Sequence, residues 1–505
     1  MSDIVLATIN ARYIHASVGL RYLYANMGEL QGETQVMEFD NTQTPKEIAE
    51  SILLKRPRIV GFGVYIWNSI RTREVVSILK KVAPDVRIVV GGPEVSYEYE
   101  ADPLVALADY LITGEADLAF ADLCRAIIRG EPPSSKVIVA PLPSLGALEL
   151  PYSHYSDSDI AHRVIYVEAS RGCPFSCEFC LSSVDIPVRS FDHDRVLAEL
   201  DTLFRRGART FKFIDRTFNL NVKTSTAILR FFLERMAPGV FVHFEMVPDR
   251  FPAALREVVK QFPPGSLQLE IGVQTLNKDV GARISRRQNV PLLLENLTYL
   301  RQETNAYLHV DLIVGLPGES IESFARGFDQ LAVLEPQEIQ VGILKRLRGT
   351  PITRHTEEFL IRYSDEPPYE VLETRDISFF DMQRMERFAR YWDLIANSGN
   401  FSDSRSYLWE GKQSRFAAFM EFSEWLYVRV GRRASIQLKA LTELLFVYLQ
   451  ELGFPAEVVG AAIARDYERG GRSDLPRDLR PFATGEARQK ESALALKRQQ
   501  RVSNS

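Results

Sequence analysis

Cysteine is scarce in this chain: 505 residues hold four, at Cys124, Cys173, Cys177 and Cys180. So few exclude a disulfide-stapled scaffold and fit a reducing compartment. Long apolar runs are absent too. The longest candidate, Ile59 to Trp67, has the length of a buried strand, well short of the roughly 18 residues a membrane span needs. The opening residues, Met-Ser-Asp-Ile-Val-Leu-Ala-Thr, lack the basic-then-hydrophobic order of a secretory signal. The expected location is therefore the cytoplasm, without a membrane partner. Nor is there an excess of positive charge: 61 Lys and Arg stand against 66 Asp and Glu, a net charge of −5. That balance weighs against a nucleic-acid partner and fits a small-molecule substrate better.

What is present is ordinary globular material, 46% hydrophobic and 25% charged. At roughly 150 residues per domain the length suggests about three domains. Residues 1–145 alternate short apolar runs with helical patterns. Strands are expected at Asp3–Thr8, Thr34–Phe39, Ile59–Val64, Val86–Val90 and Tyr110–Thr113, with helices between them. Continuous apolar strands spaced by helices predict a doubly wound, Rossmann-like parallel sheet covered on both faces. Pro132, Pro133, Pro141, Pro143 and Pro151 then mark a loop-rich linker to about residue 160.

A second series occupies 161–351. Its expected strands are His162–Ala169, Thr210–Ile214, Val242–Val247, Leu267–Val273, Leu308–Val314 and Glu338–Leu344. Six strand–helix units predict a partial (β/α)6 barrel, whose chemistry belongs where strands end and loops begin. Residues 352–470 read as a mainly helical C-terminal domain; Ile436, Ala440, Leu441, Leu444, Leu445 and Tyr448 mark one amphipathic helix. Residues 471–505, poor in apolar side chains, read as a flexible tail. The fold class is thus α/β with a helical third.

The sharpest local signal is Cys173-Pro-Phe-Ser-Cys177-Glu-Phe-Cys180, directly after the first strand of the second series. Three thiolates within eight residues can converge on iron or zinc. Closed zinc sites take four ligands, commonly in two pairs, and no second cysteine pair exists here. Three cysteines on a four-iron cluster leave one iron open to an exchangeable ligand. Three buried cysteines without any ligand are the remaining reading.

Cys-x3-Cys-Glu-Phe-Cys after a first barrel strand resembles the radical S-adenosylmethionine (radical SAM) superfamily. The resemblance implies that Cys173, Cys177 and Cys180 hold a 4Fe–4S cluster, with Phe179 beside the adenine. In that family the open iron chelates S-adenosylmethionine, and electron transfer cleaves it to methionine and a 5′-deoxyadenosyl radical. An electron donor such as flavodoxin or ferredoxin is implied as well. Later segments follow the family's order: Phe213-Ile-Asp215, Phe244-Glu245-Met-Val-Pro-Asp, Gly272-Val-Gln274-Thr, then Ile284-Ser-Arg286 and Asp311-Leu-Ile-Val-Gly-Leu-Pro-Gly-Glu319. By the same resemblance Asp215, Glu245, Gln274, Arg286 and Asp311 are candidates for binding S-adenosylmethionine. Glu245 and Gln274 suit its ribose or amine, and Arg286 suits its carboxylate.

In the first domain, Gly91-Gly92-Pro-Glu follows the fourth strand and Gly114-Glu115 follows the fifth. Glycines there let a ligand approach the backbone outside the strand carboxyl ends. Ahead of such a barrel, this arrangement resembles a cobalamin-binding domain. It implies that Gly63, Val64, Tyr65, Gly91, Gly92, Gly114 and Glu115 line a groove for the nucleotide tail of cobalamin. The usual Asp-x-His-x-x-Gly is altered to Tyr13-Ile-His15-Ala-Ser-Val-Gly19, so His15 lacks the carboxylate that tunes a cobalt ligand. Cys124 reads as a buried small hydrophobe.

The helical third carries Pro368-Tyr-Glu-Val-Leu and Asp376-Ile-Ser-Phe, similar to tails of cobalamin-type radical enzymes. The expected activity is methylation of an unactivated carbon of a small molecule, using a 5′-deoxyadenosyl radical and methylcobalamin. The alternatives are a non-methylating cyclase or oxidoreductase with both cofactors, and RNA modification of the methylthiotransferase kind.

Overall fold

The computed structural model describes residues 3–184 and 187–483, divided into two compact units. The first comprises the chain up to Glu245 with Lys345–Arg354 and Tyr363–Glu370; the second comprises Met246–Leu344, His355–Arg362 and the chain from Val371. The first sheet and the start of the second share one unit.

The first sheet has six parallel strands: β1 (Ile4–Asn10), β2 (Thr34–Asp40), β3 (Ile59–Gly63), β4 (Arg87–Gly91), β5 (Tyr110–Thr113) and β6 (Val137–Val139). Their order is β2-β1-β3-β4-β5-β6. Winding therefore reverses between β1 and β3, which opens a crevice at their carboxyl ends. β1 is buried at every position, as a strand covered on both faces must be. One apolar layer packs helices 45–53 and 69–82 through Ile48, Ile52, Val75 and Leu79; the other packs helices 18–25 and 119–128 through Leu20, Phe120 and Leu123. Cys124 lies in this second layer, its thiol pushed up to about 12 by burial. The chain that supplies β6 was expected to be linker. Its three residues pair with Leu111–Thr113, whose exposed edge they cover.

Six further parallel strands build the second sheet, three in each unit. The first unit holds β7 (Ile165–Val167), β10 (Thr210–Phe213) and most of β11 (Phe241–Met246). The second holds β12 (Leu267–Gln274), β13 (Tyr307–Val314) and β14 (Glu338–Ile343). Helices follow these strands as expected, at 193–205, 222–234, 253–259, 290–303 and 321–333. The expected strand His162–Ala169 is corrected. Ser156 and Asp159 form a reciprocal capping box that starts a helix at Asp157–His162, leaving only Ile165–Val167 for β7. After β7, Ser170–Arg171 (β8) pairs antiparallel with Arg189–Ser190 (β9), and the cysteine loop lies between them.

The helical region contains helices 379–392, 415–430, 438–451 and 456–469. Within the expected tail, Arg477–Phe482 forms a 3-10 turn whose Leu479 is fully buried; the tail beyond 483 lies outside the described residues. No helix among the described residues is long and apolar enough to cross a membrane.

Candidate functional site

Four strand ends of the first sheet surround one cavity of about 310 Å³. Val18 and Gly19 follow β1, Gly63 and Tyr65 follow β3, Gly91 and Gly92 follow β4, and Gly114 and Asp117 follow β5. Five residues expected to bind cobalamin (Gly63, Tyr65, Gly91, Gly92 and Gly114) thus line a single space. Val64 is fully buried, and its amide donates to Gly91 O, tying two strand ends together. Glycine is required here: at Gly92, φ is +113° and a Cβ would stand 2.5 Å from Val64 O.

Asn68, which the sequence pattern did not single out, holds the crevice open. Its Nδ2 donates to Ile9 O (3.1 Å), Gly63 O (3.1 Å) and Thr8 Oγ1 (3.2 Å), while Oδ1 accepts from Tyr65 N (2.8 Å). One buried amide therefore satisfies backbone groups on both sides of the switch point.

A cleft of about 620 Å³ adjoins this cavity within the same unit. Val18, Gly19, Tyr65, Glu168, Arg171 and Ile214 line both spaces. The cysteine loop contributes Gly172 and Ser182 to the cleft, and the second sheet contributes Tyr166, Lys212, Arg216 and Glu245. Trp67 lines it from the first sheet, stacked on Tyr65 at 4.5 Å. His15 also lines the cleft, with Nδ1 2.6 Å from the Tyr166 hydroxyl. Burial and the cations Lys212, Arg12 and Arg163 hold this imidazole below its ordinary value. Its partner is thus a phenol, where the usual cobalt-ligand histidine has a carboxylate.

Cys173 and Cys177 are buried and Cys180 is half-buried; none of the three forms a disulfide. Burial pushes the Cys173 thiol up, and the neighbouring Cys180 and Cys177 thiols add to that. Among the described residues no three His, Cys, Asp or Glu side chains form a closed metal-binding group. The donor chemistry nevertheless fits an iron–sulfur group, because three thiols on one loop stand within electrostatic reach of one another. Glu178, between the second and third cysteines, is buried, ion-paired to Arg354, and accepts Ile352 N–H through its carbonyl. Phe179 beside it is half-buried.

Of the remaining expected S-adenosylmethionine residues, Asp215, Glu245, Arg286 and Asp311 are held by internal partners. Asp215 is buried and accepts from Ala169 N–H (2.9 Å) and the Ser170 hydroxyl (2.6 Å), so it supports the chain between β7 and β8. Burial pushes its carboxyl up to about 7. Glu245 faces the cleft, 3.6 Å from Arg216.

In the second unit, Gln274 sits at a register shift of β12 with φ +70°, and its buried Oε1 has no hydrogen-bond partner. Positive φ strains a non-glycine residue, and a buried amide oxygen without a partner is costly. Arg286 donates to the carbonyls of Gly272 and Val273, clamping that bulge. Asp311 bonds His309 Nε2 at 3.0 Å. Burial opposes charge on His309, but Asp311 and Glu338 outweigh it and push the imidazole up to about 10.

Three family models match the chain in succession: the B12 binding domain over residues 4–124, the radical SAM superfamily over 167–331, and a protein family of unknown function over 357–504. A relative described as an uncharacterized methyltransferase, PH0819 of Pyrococcus horikoshii, is 30% identical over 241 residues, covering 42% of this chain and 51% of that protein. The cobalamin-dependent radical SAM methyltransferase TokK of Streptomyces tokunonensis is 26% identical over 326 residues, 57% of this chain and 46% of TokK. The chain therefore spans about half the length of these curated relatives. Its fold is similar to that of the radical S-adenosylmethionine methyltransferase TsrM from Kitasatospora setae, solved with cobalamin and a [4Fe-4S] cluster bound. The TM-score is 0.57 at 16% identity, covering 73% of this chain and 82% of TsrM.

Proposed function

From a chain that joins a B12-binding domain to a radical SAM domain, we propose a cobalamin-dependent radical SAM methyltransferase that acts on an unactivated carbon of a small molecule. One observation carries the reading: the glycine-lined cavity and the cleft beside the cysteine loop share six lining residues within one compact unit. Two cofactors that act on one substrate need such a common wall. The likeness to TokK supports methyl transfer over other radical chemistry.

Cys173, Cys177 and Cys180 are the thiolate ligands in this reading, with Phe179 packing beside them. When bound, the cluster supplies the electron that cleaves S-adenosylmethionine, and the corrinoid supplies the methyl group. Gly63, Gly91, Gly92 and Gly114 let that corrinoid approach the backbone. In the first unit Glu245 offers an acceptor for the ribose or amine of S-adenosylmethionine; in the second unit Arg286 holds the bulge that carries Gln274, an acceptor of the same kind. Asp215 fixes the strand end from which the cysteine loop departs. The shared wall combines apolar Val18 and Ile214 with the Arg171–Glu168 ion pair. An external one-electron donor of the flavodoxin or ferredoxin kind completes the scheme.

Anaerobic reconstitution with iron and sulfide tests the foundation. The native chain is expected to gain iron-dependent visible absorbance, and the triple variant Cys173→Ala, Cys177→Ala, Cys180→Ala to lose it entirely. Retention of that absorbance by the triple variant would overturn the cluster assignment. Incubation of the reconstituted protein with a small-molecule extract should then yield S-adenosylhomocysteine alongside 5′-deoxyadenosine. 5′-Deoxyadenosine alone would replace methylation with a ring-forming or oxidative activity.

A further inference from the structure

The cysteine loop is closed at its neck by a very small ladder. β8 and β9 contribute two residues each, with Arg171 directly opposite Arg189. Like charges facing each other across an antiparallel pair destabilise it, and two residues per strand leave little to offset that repulsion. The conflict is resolved from the first sheet. Glu115 Oε2 lies 2.8 Å from Arg171 Nη1, and its Oε1 makes an ion pair with Arg189 Nη2. A single carboxylate therefore bridges both strands of the neck.

Arg171 is secured further by Asp117 (2.9 Å) and Glu168 (3.0 Å), and its guanidinium stacks over the Tyr22 ring at 4.6 Å. These side chains are largely withdrawn from solvent: 14% exposed for Arg171 and 20% each for Glu115 and Arg189. The interaction is therefore only weakly screened. Glu115 and Asp117 belong to the turn after β5, whose Gly114, Ala116 and Asp117 line the glycine-rich cavity. The turn that borders the cavity thus supplies the clamp on the cysteine loop.

We propose that Glu115 is a positioning residue for the cysteine loop, and that through it corrinoid in the cavity and iron on the loop stabilise each other. This rests on the two-cofactor reading above. A corrinoid that orders the turn after β5 holds Glu115 between the arginines and keeps the neck shut. By reciprocity, a loop closed on its cluster holds the turn in its binding form.

The test uses the full chain, reconstituted anaerobically, with iron release to a ferrous chelator followed with and without hydroxocobalamin. Hydroxocobalamin is expected to slow release at least about fivefold in the native protein. Glu115→Gln should accelerate release about fivefold or more without hydroxocobalamin, and should reduce the corrinoid effect to less than about twofold. In an Arg189→Gln background, where no like charges face each other, adding Glu115→Gln should change release by less than about twofold. A merely structural defect would instead add to the first, since only interacting sites depart from additivity. Should Glu115→Gln fail to fold, Glu115→Asp serves, keeping the charge but too short to span both arginines; faster release is expected from it. Native rates and an undiminished corrinoid effect in these variants would overturn the proposal. So would a native protein whose iron release ignores hydroxocobalamin while corrinoid co-elutes with it on gel filtration. Failure of corrinoid to co-elute at all would remove the two-cofactor reading instead.

Discussion

The strand ends of the first sheet carry glycines around a space; those of the second sheet carry charges, each already engaged. Gly63, Gly91, Gly92 and Gly114 border a cavity whose other walls are side chains such as Leu20, Tyr65 and Phe120. Asp215 follows β10, Glu245 lies at the end of β11, Asp311 lies within β13 and Arg286 reaches back to β12 from a later loop; their partners are Ser170, Arg216, His309 and Gly272 respectively. Glycines at strand ends leave the backbone open to close approach without any charge to balance. A site made of charged side chains must balance each charge internally, so its geometry depends on partners brought from elsewhere in the chain.

The comparison can be broken most severely at Gly92. Alanine there meets both a φ of +113° and a contact of 2.5 Å with a backbone oxygen. A loss of about 2–4 kcal/mol is expected, combining backbone strain with overpacking, together with loss of corrinoid retention; thermal melting and gel filtration read both. Gly130, at φ +80° with nothing within 4 Å of its Cβ position, is the control, expected to cost about 1–2 kcal/mol and spare the corrinoid. Equal effects at the two positions would mean that the cavity imposes no steric demand.

Asp215 sharpens the other side. Its folded-state value near 7, raised by burial, lies above the unfolded carboxyl value. The folded protein therefore holds this proton more tightly, and stability falls as pH rises from about 4 to about 7. The slope is at most on the order of 1.4 kcal/mol per pH unit. Asp215→Asn should lack that contribution, so the native protein's advantage over the variant shrinks from pH 4 to pH 7. Denaturant titrations at several pH values check this; a constant difference would show that Asp215 does not titrate in this range.

A smaller effect than at Gly92 is expected at Asn68, where alanine removes the acceptor of Tyr65 N–H, while Ile9 O keeps the Trp67 indole N–H and Gly63 O keeps the Thr8 hydroxyl. A cost of about 1–3 kcal/mol is expected, with cavity binding weakened more than iron binding. Parallel titrations with hydroxocobalamin and iron would show it, and equal weakening of both would place Asn68 outside the crevice's support.

Much of the fold was legible because buried parallel strands announce themselves as apolar runs. Tyr110–Thr113 coincides with β5, and β13 differs from the expected Leu308–Val314 by one residue. β6 was missed because prolines on both sides of Val137–Val139 read as linker, while the edge it covers is known only once β5 is placed. The first β-strand of the second series was overextended because the capping box of Ser156 and Asp159 lies outside the apolar run. In the site, the glycine positions were legible since a backbone that must approach a ligand or turn sharply admits few other residues. Asn68, Tyr166, Lys212 and Arg171 were not singled out, because nothing in their local sequence tells which strand ends they face.

The linear sequence by itself determined the two sheets, the cysteine loop and the glycine-bearing turns, because periodicity, turn chemistry and thiol spacing are local properties of the chain. Tertiary structure alone decided the pairing of charges. Whether Glu115 meets a cofactor or bridges Arg171 and Arg189, and whether Asp215 faces a ligand or a strand end, depends on groups 46 to 74 residues away. Electrostatic partners of that kind are set by packing in space, and no local pattern encodes them.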